Sequence, residues 1–297
     1  MTRLFHDSPS KDESQVLGIQ STVKTPKRTR IEGPPLVIVD VGCRWGFADV
    51  FPLDASDLKI FGFEPDAEEC ERLSALYQGR KVEIVPLGLA GRPGKRTLYF
   101  TRQPACSSLL KPIDALTRDY PALHCAQEVR RIEIDTTTLD IWARSIDLGA
   151  VEYLKLDTQG TELEILQGGE SILPSVRALE IEVEFNPIYE GQPLFSDVDQ
   201  YLRRHGFVLW QLTNHVHYSR YPEQNPSLGN DGICFNENIR IEHPRYGGQL
   251  FWANAHFIHR DVLETQDPHQ RARDERLFEI LGMPDVLLDR CSSEVVL

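Results

Sequence analysis

"LKLDTQGTEL", residues 154–163, joins two kinds of pattern within ten residues. Its start reads as a buried strand. Asp157 ends that strand, Gly160 lets the chain turn, and Glu162 opens an apolar-periodic helix. A strand that turns directly into a helix is half of a βαβ unit. The rest of the chain repeats it.

Upstream, "LVIVDVG" (36–42), "LKIFGFEP" (58–65) and "KVEIVPLG" (81–88) are further apolar runs that stop at turn residues. "RALEIEVEF" (177–185) follows the opening stretch as a fifth core strand, after "VEYLKLD" (151–157) as the fourth. Helical spacing lies between them: "DAEECERLSALYQG" (66–79) with Gly79 as its stop, "TTTLDIWARSI" (136–146), and "SDVDQYLRRHG" (196–206) with Ser196 as cap and Gly206 as stop. Thr161 and Glu164 have the spacing of a capping box. The segment between residues 42 and 58 fits a short helix. "RTLYF" and "RRIEI" are strands flanking a loop around "ACSSLLKP", and "FVLWQL" and "QLFWANAHFIH" supply two late strands. Strands alternating with helices imply an α/β fold with a mainly parallel sheet and helices on both faces.

Three segments emerge. Residues 1–33 lack periodicity and predict a disordered tail or linker. Residues 34–261 form the α/β domain, and 262–297 a C-terminal helical extension. Within the domain, 214–249 is a long irregular stretch rich in Asn, Pro, Gly and His; loops of that length are functional or disordered.

The 297 residues carry a net charge of −13, which argues against nucleic acid and anionic membrane surfaces as partners. No apolar run approaches the ~20 residues that span a bilayer, and the N-terminus has no secretory h-region. The six cysteines form no CxxC pair or zinc-ligand spacing, so they are expected to be reduced thiols in a cytoplasmic protein.

"DVGCRWG" (40–46) places Asp40, Gly42 and Gly46 at the carboxyl end of the first strand. Glycine admits close approach of a ligand, but the spacing is GxxxG rather than the GxGxxG of dinucleotide sites. Glu64 ends the second strand, where an acidic side chain accepts both ribose hydroxyls of a nucleoside. A nucleoside without a pyrophosphate, carrying an amino-acid tail, suits this pair better than NAD; S-adenosylmethionine is such a ligand. Asp157 ends the fourth strand, where it would orient or deprotonate an acceptor hydroxyl, or cap its own turn. Glu162 and Glu164 suit the helix N-terminus. Glu180, Glu182 and Glu184 share one strand face, and Glu184 is nearest the ligand end. His215 and His217 in the long stretch are candidate bases, their HxH spacing also suits a metal, and the alternative is alternation on a surface strand. No dense carboxylate or histidine cluster has metal-ligand spacing, so no metal is expected. Trp45, Tyr189 and Trp252 are candidates for stacking on adenine or acceptor.

Taken together, "DVGCRWG", "FGFEPD", "SSLL", "TTTLDIW", "LKLDTQGTELEILQGG" and "EIEVEFNPIYEGQPLFSDVDQYLRRHGF" resemble the FkbM family of S-adenosylmethionine-dependent methyltransferases, in the family's order and over roughly residues 36–260. The resemblance implies a Rossmann-like class I methyltransferase fold: a seven-stranded sheet with an antiparallel hairpin at one end. It also implies methyl transfer to an oxygen, usually of a saccharide or small-molecule metabolite. Carried over by position, Asp40, Gly42 and Gly46 would form the cofactor turn. Glu64 would hold the ribose with help from Asp66. Asp157 would stand beside the transferring methyl, with Glu184 and His215 as further catalytic candidates. The chain departs from the family at Gln159, usually Glu, and at Cys43-Arg44, often Ala-Asn. Gln159 leaves open a methyltransferase-like protein that binds without catalysis.

Overall fold

Apolar runs form the centre of the molecule because their side chains find apolar cover on both sides. The computed structural model describes residues 31–48, 50–220, 233–235 and 248–287. In chain order the elements are β1 (Leu36–Val41), β2 (Leu58–Phe63), α1 (Ala67–Leu76), β3 (Val82–Val85), β4 (Gly88–Leu89), β5 (Gly94–Thr101), α2 (Asp114–Asp119), β6 (Glu128–Thr137), α3 (Leu139–Ser145), β7 (Tyr153–Leu156), α4 (Glu162–Gln167), β8 (Ala178–Glu184), α5 (Phe195–Arg204), β9 (Phe207–Tyr218), β10 (Ile233–Phe235), β11 (Gln249–His259), α6 (Arg260–Glu264) and α7 (Pro268–Ile280).

The main sheet runs β3-β2-β1-β7-β8-β11-β9-β10. The first five are parallel, and β11 is antiparallel to both β8 and β9. The expected seven-stranded, mainly parallel sheet with a terminal antiparallel hairpin is therefore present, with one correction. The three-residue β10 pairs with β9 at the edge and makes an eighth strand. A second, three-stranded sheet, β4-β6-β5, stands apart, so "RTLYF" and "RRIEI" pair with each other and not with the main sheet.

Each central strand divides its side chains between two cores. Val37, Val39 and Val41 of β1 face Leu154 and Leu156 of β7 and the helices α3, α4 and α5. Trp142 of α3 packs edge-on against Phe61 and Phe63, with ring centroids 5.0 and 4.8 Å apart. Leu36, Ile38, Ala178 and Ile258 point the other way, against Leu277 and Phe278 of α7. That second face is covered at its foot by α7, which three arginines fasten to the amino-terminal ends of the strands. Arg177 grips Asp274 through two of its nitrogens at 2.9 and 2.7 Å, Arg273 pairs with Glu152, and Arg276 bonds Asp57 at 2.8 Å.

Several local expectations are corrected. Among the described residues no helix lies between β1 and β2; the chain passes through turns around Pro52 instead. Ser196 does not cap α5. The helix starts earlier, at Phe195, and the Asp197 carboxylate accepts the N–H of Leu194 at 2.9 Å. Thr161 makes no side-chain cap for α4, and Glu164 turns away to Arg96 (3.1 Å). β9 extends to Tyr218, so the long irregular stretch begins later than its composition suggests. Residues 1–30, 221–232, 236–247 and 288–297 lie outside the described residues, and with them most of the expected tail, much of the 214–249 stretch and the end of the C-terminal extension. No helix among the described residues is long and apolar enough to cross a membrane.

Candidate active site

In a parallel sheet the carboxyl ends of adjacent strands open onto a common crevice, because the chain leaves each strand in the same direction. Here β1, β2 and β7 end beside one another, and a cleft open to solvent lies beyond them. Val41 ends β1, and Gly42, Arg44 and Trp45 follow it. Phe63 and Glu64 end β2. Leu87–Leu89 leave β3, and Asp157, Thr158 and Thr161 leave β7. The small sheet and its loop close the opposite wall with Leu98, Pro104, Ser107, Ser108, Leu109 and Ile134. Most of this wall is apolar, with polar groups concentrated at Glu64, Arg44 and Asp157, as in small-ligand sites generally.

The turn that carries Asp157 is built by its own sequence. Gln159 and Gly160 both take left-handed conformations, φ 60° and 110°. The buried Glu162 carboxylate reaches back to accept the N–H groups of Thr158 (2.7 Å) and Gly160 (2.9 Å) and the Thr158 hydroxyl (2.9 Å). Glu162 thus does the N-terminal work expected of the Thr161–Glu164 box, and burial pushes its carboxyl above the usual range. Gln159 holds a strained conformation because its side chain is tied on every side. Its amide donates to Asp157 (3.1 Å) and Glu182 (2.5 Å), its amide oxygen lies 3.0 Å from the Tyr189 hydroxyl, and its carbonyl accepts from Ser108 (2.7 Å). A second carboxylate in place of this amide would face two others; the Gln at 159 joins them instead.

Gly42 (φ 86°) sits where a Cβ would collide with the Asp157 carbonyl, and Gly46 (φ 103°) where one would collide with the Tyr77 hydroxyl. Both glycines therefore allow close approach of backbone to protein, and Gly42 also lines the cleft. Glu64 is buried at the cleft floor. Its carboxylate accepts the Asp66 N–H at 2.8 Å and stands 3.9 Å from Arg44, while burial pushes it up to about 7. Asp66 is also buried and bonds Arg44 at 2.8 Å, so it braces the arginine beside Glu64 and does not line the cleft.

Asp40 behaves differently from its neighbours. It points away from the cleft, fully buried, and bonds Lys155 at 3.2 Å. Register explains the pair: Asp40, Lys155, Glu180 and His256 stand opposite one another across β1, β7, β8 and β11. Burial works against the charge of Lys155, but the carboxylates of Asp40, Asp157 and Glu180 outweigh it and hold the ammonium well above its ordinary range. Lys155 also lies 3.8 Å from Asp157, linking this buried row to the cleft. Glu180 accepts from Tyr153 (2.8 Å) and Asn254 (3.2 Å), and burial lowers His256, whose Nε2 lies 2.9 Å from the Thr213 hydroxyl.

Glu184, His215 and Tyr189 do not line the cleft. Glu184 is 2 % exposed at the end of β8, and its Oε1 has no hydrogen-bond partner among the described residues. Burial, then the neighbouring Glu162, Glu182 and Asp157, raises it well above the usual carboxylate range. His215 lies in β9, with β11 and β8 between it and β7. Three strand spacings put it about 14 Å from the Asp157 side of the sheet. Trp45 is 65 % exposed at the cleft rim, while Tyr189 is buried. Lys155 was missed at the sequence level although "YLKLD" held a signal: a single lysine in an apolar strand needs a buried counter-ion.

The methyltransferase FkbM domain family matches residues 41–209, more than half of the chain. The 2-O-methyltransferase NoeI of Sinorhizobium fredii (strain NBRC 101917 / NGR234) is 28 % identical over 178 residues, 57 % of this chain and 72 % of that protein. Among solved structures, magnesium protoporphyrin IX methyltransferase (ChlM) from Synechocystis PCC 6803, crystallised with bound SAM, aligns over 76 % of this chain and 71 % of its own, with a TM-score of 0.37 and 11 % identity.

Proposed function

Because the chain belongs to the FkbM methyltransferase family, whose methyl donor is S-adenosylmethionine, we propose that it methylates a hydroxyl oxygen of a saccharide or small-molecule metabolite. The observation that carries this reading is the convergence of Glu64 and Asp157 on one cleft from the ends of two strands. The residues present fit the donor. Glu64 is a buried carboxylate with acceptor capacity beyond its one backbone bond, as a pair of ribose hydroxyls requires. Val41, Phe63, Leu87, Leu89 and Leu98 offer an apolar wall for a base. The similarity to a 2-O-methyltransferase supports oxygen as the acceptor atom.

When bound, S-adenosylmethionine supplies an electrophilic methyl group on a sulfonium. The chain supplies position and charge. Glu64 accepts the ribose hydroxyls, and Arg44 and the Asp66 N–H hold that carboxylate in place. Asp157 receives the acceptor hydroxyl, taking its proton or orienting its lone pair. The Gln159 amide at 3.1 Å and the Lys155 ammonium at 3.8 Å fix its two oxygens. Orientation of two reactants contributes on the order of 7–11 kcal/mol to lowering a bimolecular barrier, and a positioned base adds about 10²–10⁴-fold.

The test has two stages. S-adenosylhomocysteine at about 100 times its dissociation constant should add ~2.7 kcal/mol to stability. Methyl transfer from labelled S-adenosylmethionine is then screened against free mono- and oligosaccharides. A melt unchanged by saturating S-adenosylhomocysteine overturns the donor assignment. Labelling of amines or thiols, with no hydroxyl acceptor labelled, overturns the acceptor class.

A further inference from the structure

The wall of the cleft opposite Asp157 contains a chemical feature that methyl transfer does not use. Cys106 ends a tight 3-10 turn, Pro104–Cys106, and Cys125 lies in a second one, Pro121–Ala126. The backbone holds the two turns side by side: Gln103 N–H donates to the Cys125 carbonyl and Arg102 N–H to the Gln127 carbonyl, both at 3.0 Å. The two sulfurs consequently sit 3.8 Å apart, in partly exposed residues. Cys43 and Cys70 differ: each is buried, with no sulfur partner among the described residues. The cleft-lining residues Ala105 and Ser107 flank Cys106 directly, and the Tyr189 hydroxyl donates to its carbonyl at 2.6 Å. Tyr189 also lies beside Gln159, which holds Asp157.

We infer that Cys106 and Cys125 are a reversible oxidation site: a peroxide converts them to a disulfide, and the bond adjusts the cofactor cleft through the loop they flank. Forming the bond draws the sulfurs from 3.8 Å to about 2.05 Å. The movement falls on the 104–109 segment, which lines the cleft, and on the Cys106–Tyr189–Gln159 contacts behind it. The chemistry balances with the peroxide as oxidant. The Cys125 thiolate attacks one peroxide oxygen, the O–O bond breaks, and hydroxide leaves with a sulfenic acid on Cys125. The Cys106 sulfur then attacks that sulfenic sulfur. The S–S bond forms, the S–O bond breaks, and the departing oxygen leaves as water with the Cys106 proton. Two thiols and one hydrogen peroxide give one disulfide and two waters. The order of attack follows from the hydrogen bond. Cys106 donates to Cys125, which lowers the Cys125 thiol below its ordinary range and raises Cys106.

Arg118 lies between the two cysteines, so tryptic cleavage separates them into different peptides. The whole protein is treated with hydrogen peroxide, alkylated after unfolding and mapped by mass spectrometry. A 106–125 cross-link is expected, with Cys43 and Cys70 alkylated and the link absent in Cys106→Ser. Cys125→Ser should likewise abolish it, and serves if Cys106→Ser fails to fold. Dithiothreitol should reverse it. Calorimetry should find S-adenosylhomocysteine affinity changed by about fivefold or more between oxidised and reduced protein, with Cys106→Ser insensitive to peroxide. No cross-link, or one no more frequent than links to the buried cysteines, overturns the site. A cross-link that leaves affinity unchanged overturns its coupling to the cleft. The mapping needs no cofactor, so failure to bind S-adenosylhomocysteine counts against the proposed function alone.

Discussion

The two ends of the sheet treat buried charge in opposite ways. At the foot, where strands begin, three arginine–carboxylate pairs join α7 to the sheet: Asp274 has Arg177, Glu152 has Arg273, and Asp57 has Arg276. Glu152 additionally accepts the N–H of Val37 at 2.8 Å. At the head, where strands end, Glu162, Glu182 and Glu184 are buried with raised proton affinities, and Glu64 is pushed up to about 7. Two cations stand near them, and each is bonded elsewhere: Lys155 to Asp40 and Arg44 to Asp66, with Arg44 3.9 Å from Glu64. Burying a carboxylate without a counter-charge costs stability. The foot therefore holds the fold together. Of these carboxyls at the head, Glu64 lines the cleft, and it keeps bonding capacity for a ligand.

The largest expected effect is at the foot. Arg177→Met leaves Asp274 buried and uncompensated, and should destabilise by about 3–5 kcal/mol in urea unfolding. Arg177→Met combined with Asp274→Leu should recover most of that loss. A single-variant loss below ~1 kcal/mol would make the pair equivalent to an exposed one and erase the contrast.

At the head, the largest effect should be on rate. Asp157→Asn preserves shape and should lower turnover by about 10²-fold or more, with S-adenosylhomocysteine affinity changed little. Full turnover in this variant would remove Asp157 from the chemistry. Next comes Gly42→Ala, which forces a Cβ into the Asp157 carbonyl at φ 86°. It should cost about 1–3 kcal/mol and weaken S-adenosylhomocysteine as the β1 and β7 turns separate. Unchanged melting and binding would mean that the two turns part without strain.

The smallest effect sharpens the comparison through pH. The Glu64 carboxyl is raised in the fold, so its stability contribution is complete below the unfolded value of 4.5 and is lost as pH rises through about 7. Glu162, Glu182 and Glu184 are raised too and act with the same sign. The ligand-free protein should lose the Glu64 contribution as pH rises from 4.5 through about 7. Ribose hydroxyls favour the ionised form of Glu64, so the shift in melting temperature from S-adenosylhomocysteine should grow over that same interval. A ligand-induced shift that shrinks with rising pH would contradict the role given to Glu64.

Strand–turn–helix units were legible because burial on both faces writes apolar runs into the sequence and the turns require glycine. Glu64 and Asp157 could be brought to one cleft from sequence because both end parallel strands, and parallel strands end on the same side. What the sequence hid is non-local. The Asp40–Lys155–Glu180–His256 row depends on the register of four strands, so Asp40 resembled a ligand-facing group when its partner is across the sheet. The Glu162 cap depends on two left-handed residues, one of them the non-glycine Gln159, which no propensity favours. The Cys106–Cys125 pair depends on two turns, 19 positions apart in sequence, that pack together.

The central claim is that the head of the sheet keeps a buried carboxylate for the cofactor. Calorimetry of S-adenosylhomocysteine binding to the native protein and to Glu64→Ala tests it most directly. Glu64→Ala removes two charge-assisted hydrogen bonds, worth about 1.5–3 kcal/mol each and not additive. The expected result is an affinity at least about tenfold weaker, in a variant that melts no lower than the native protein without ligand. Equal affinity in the two proteins, or a variant that loses its fold, would contradict the claim.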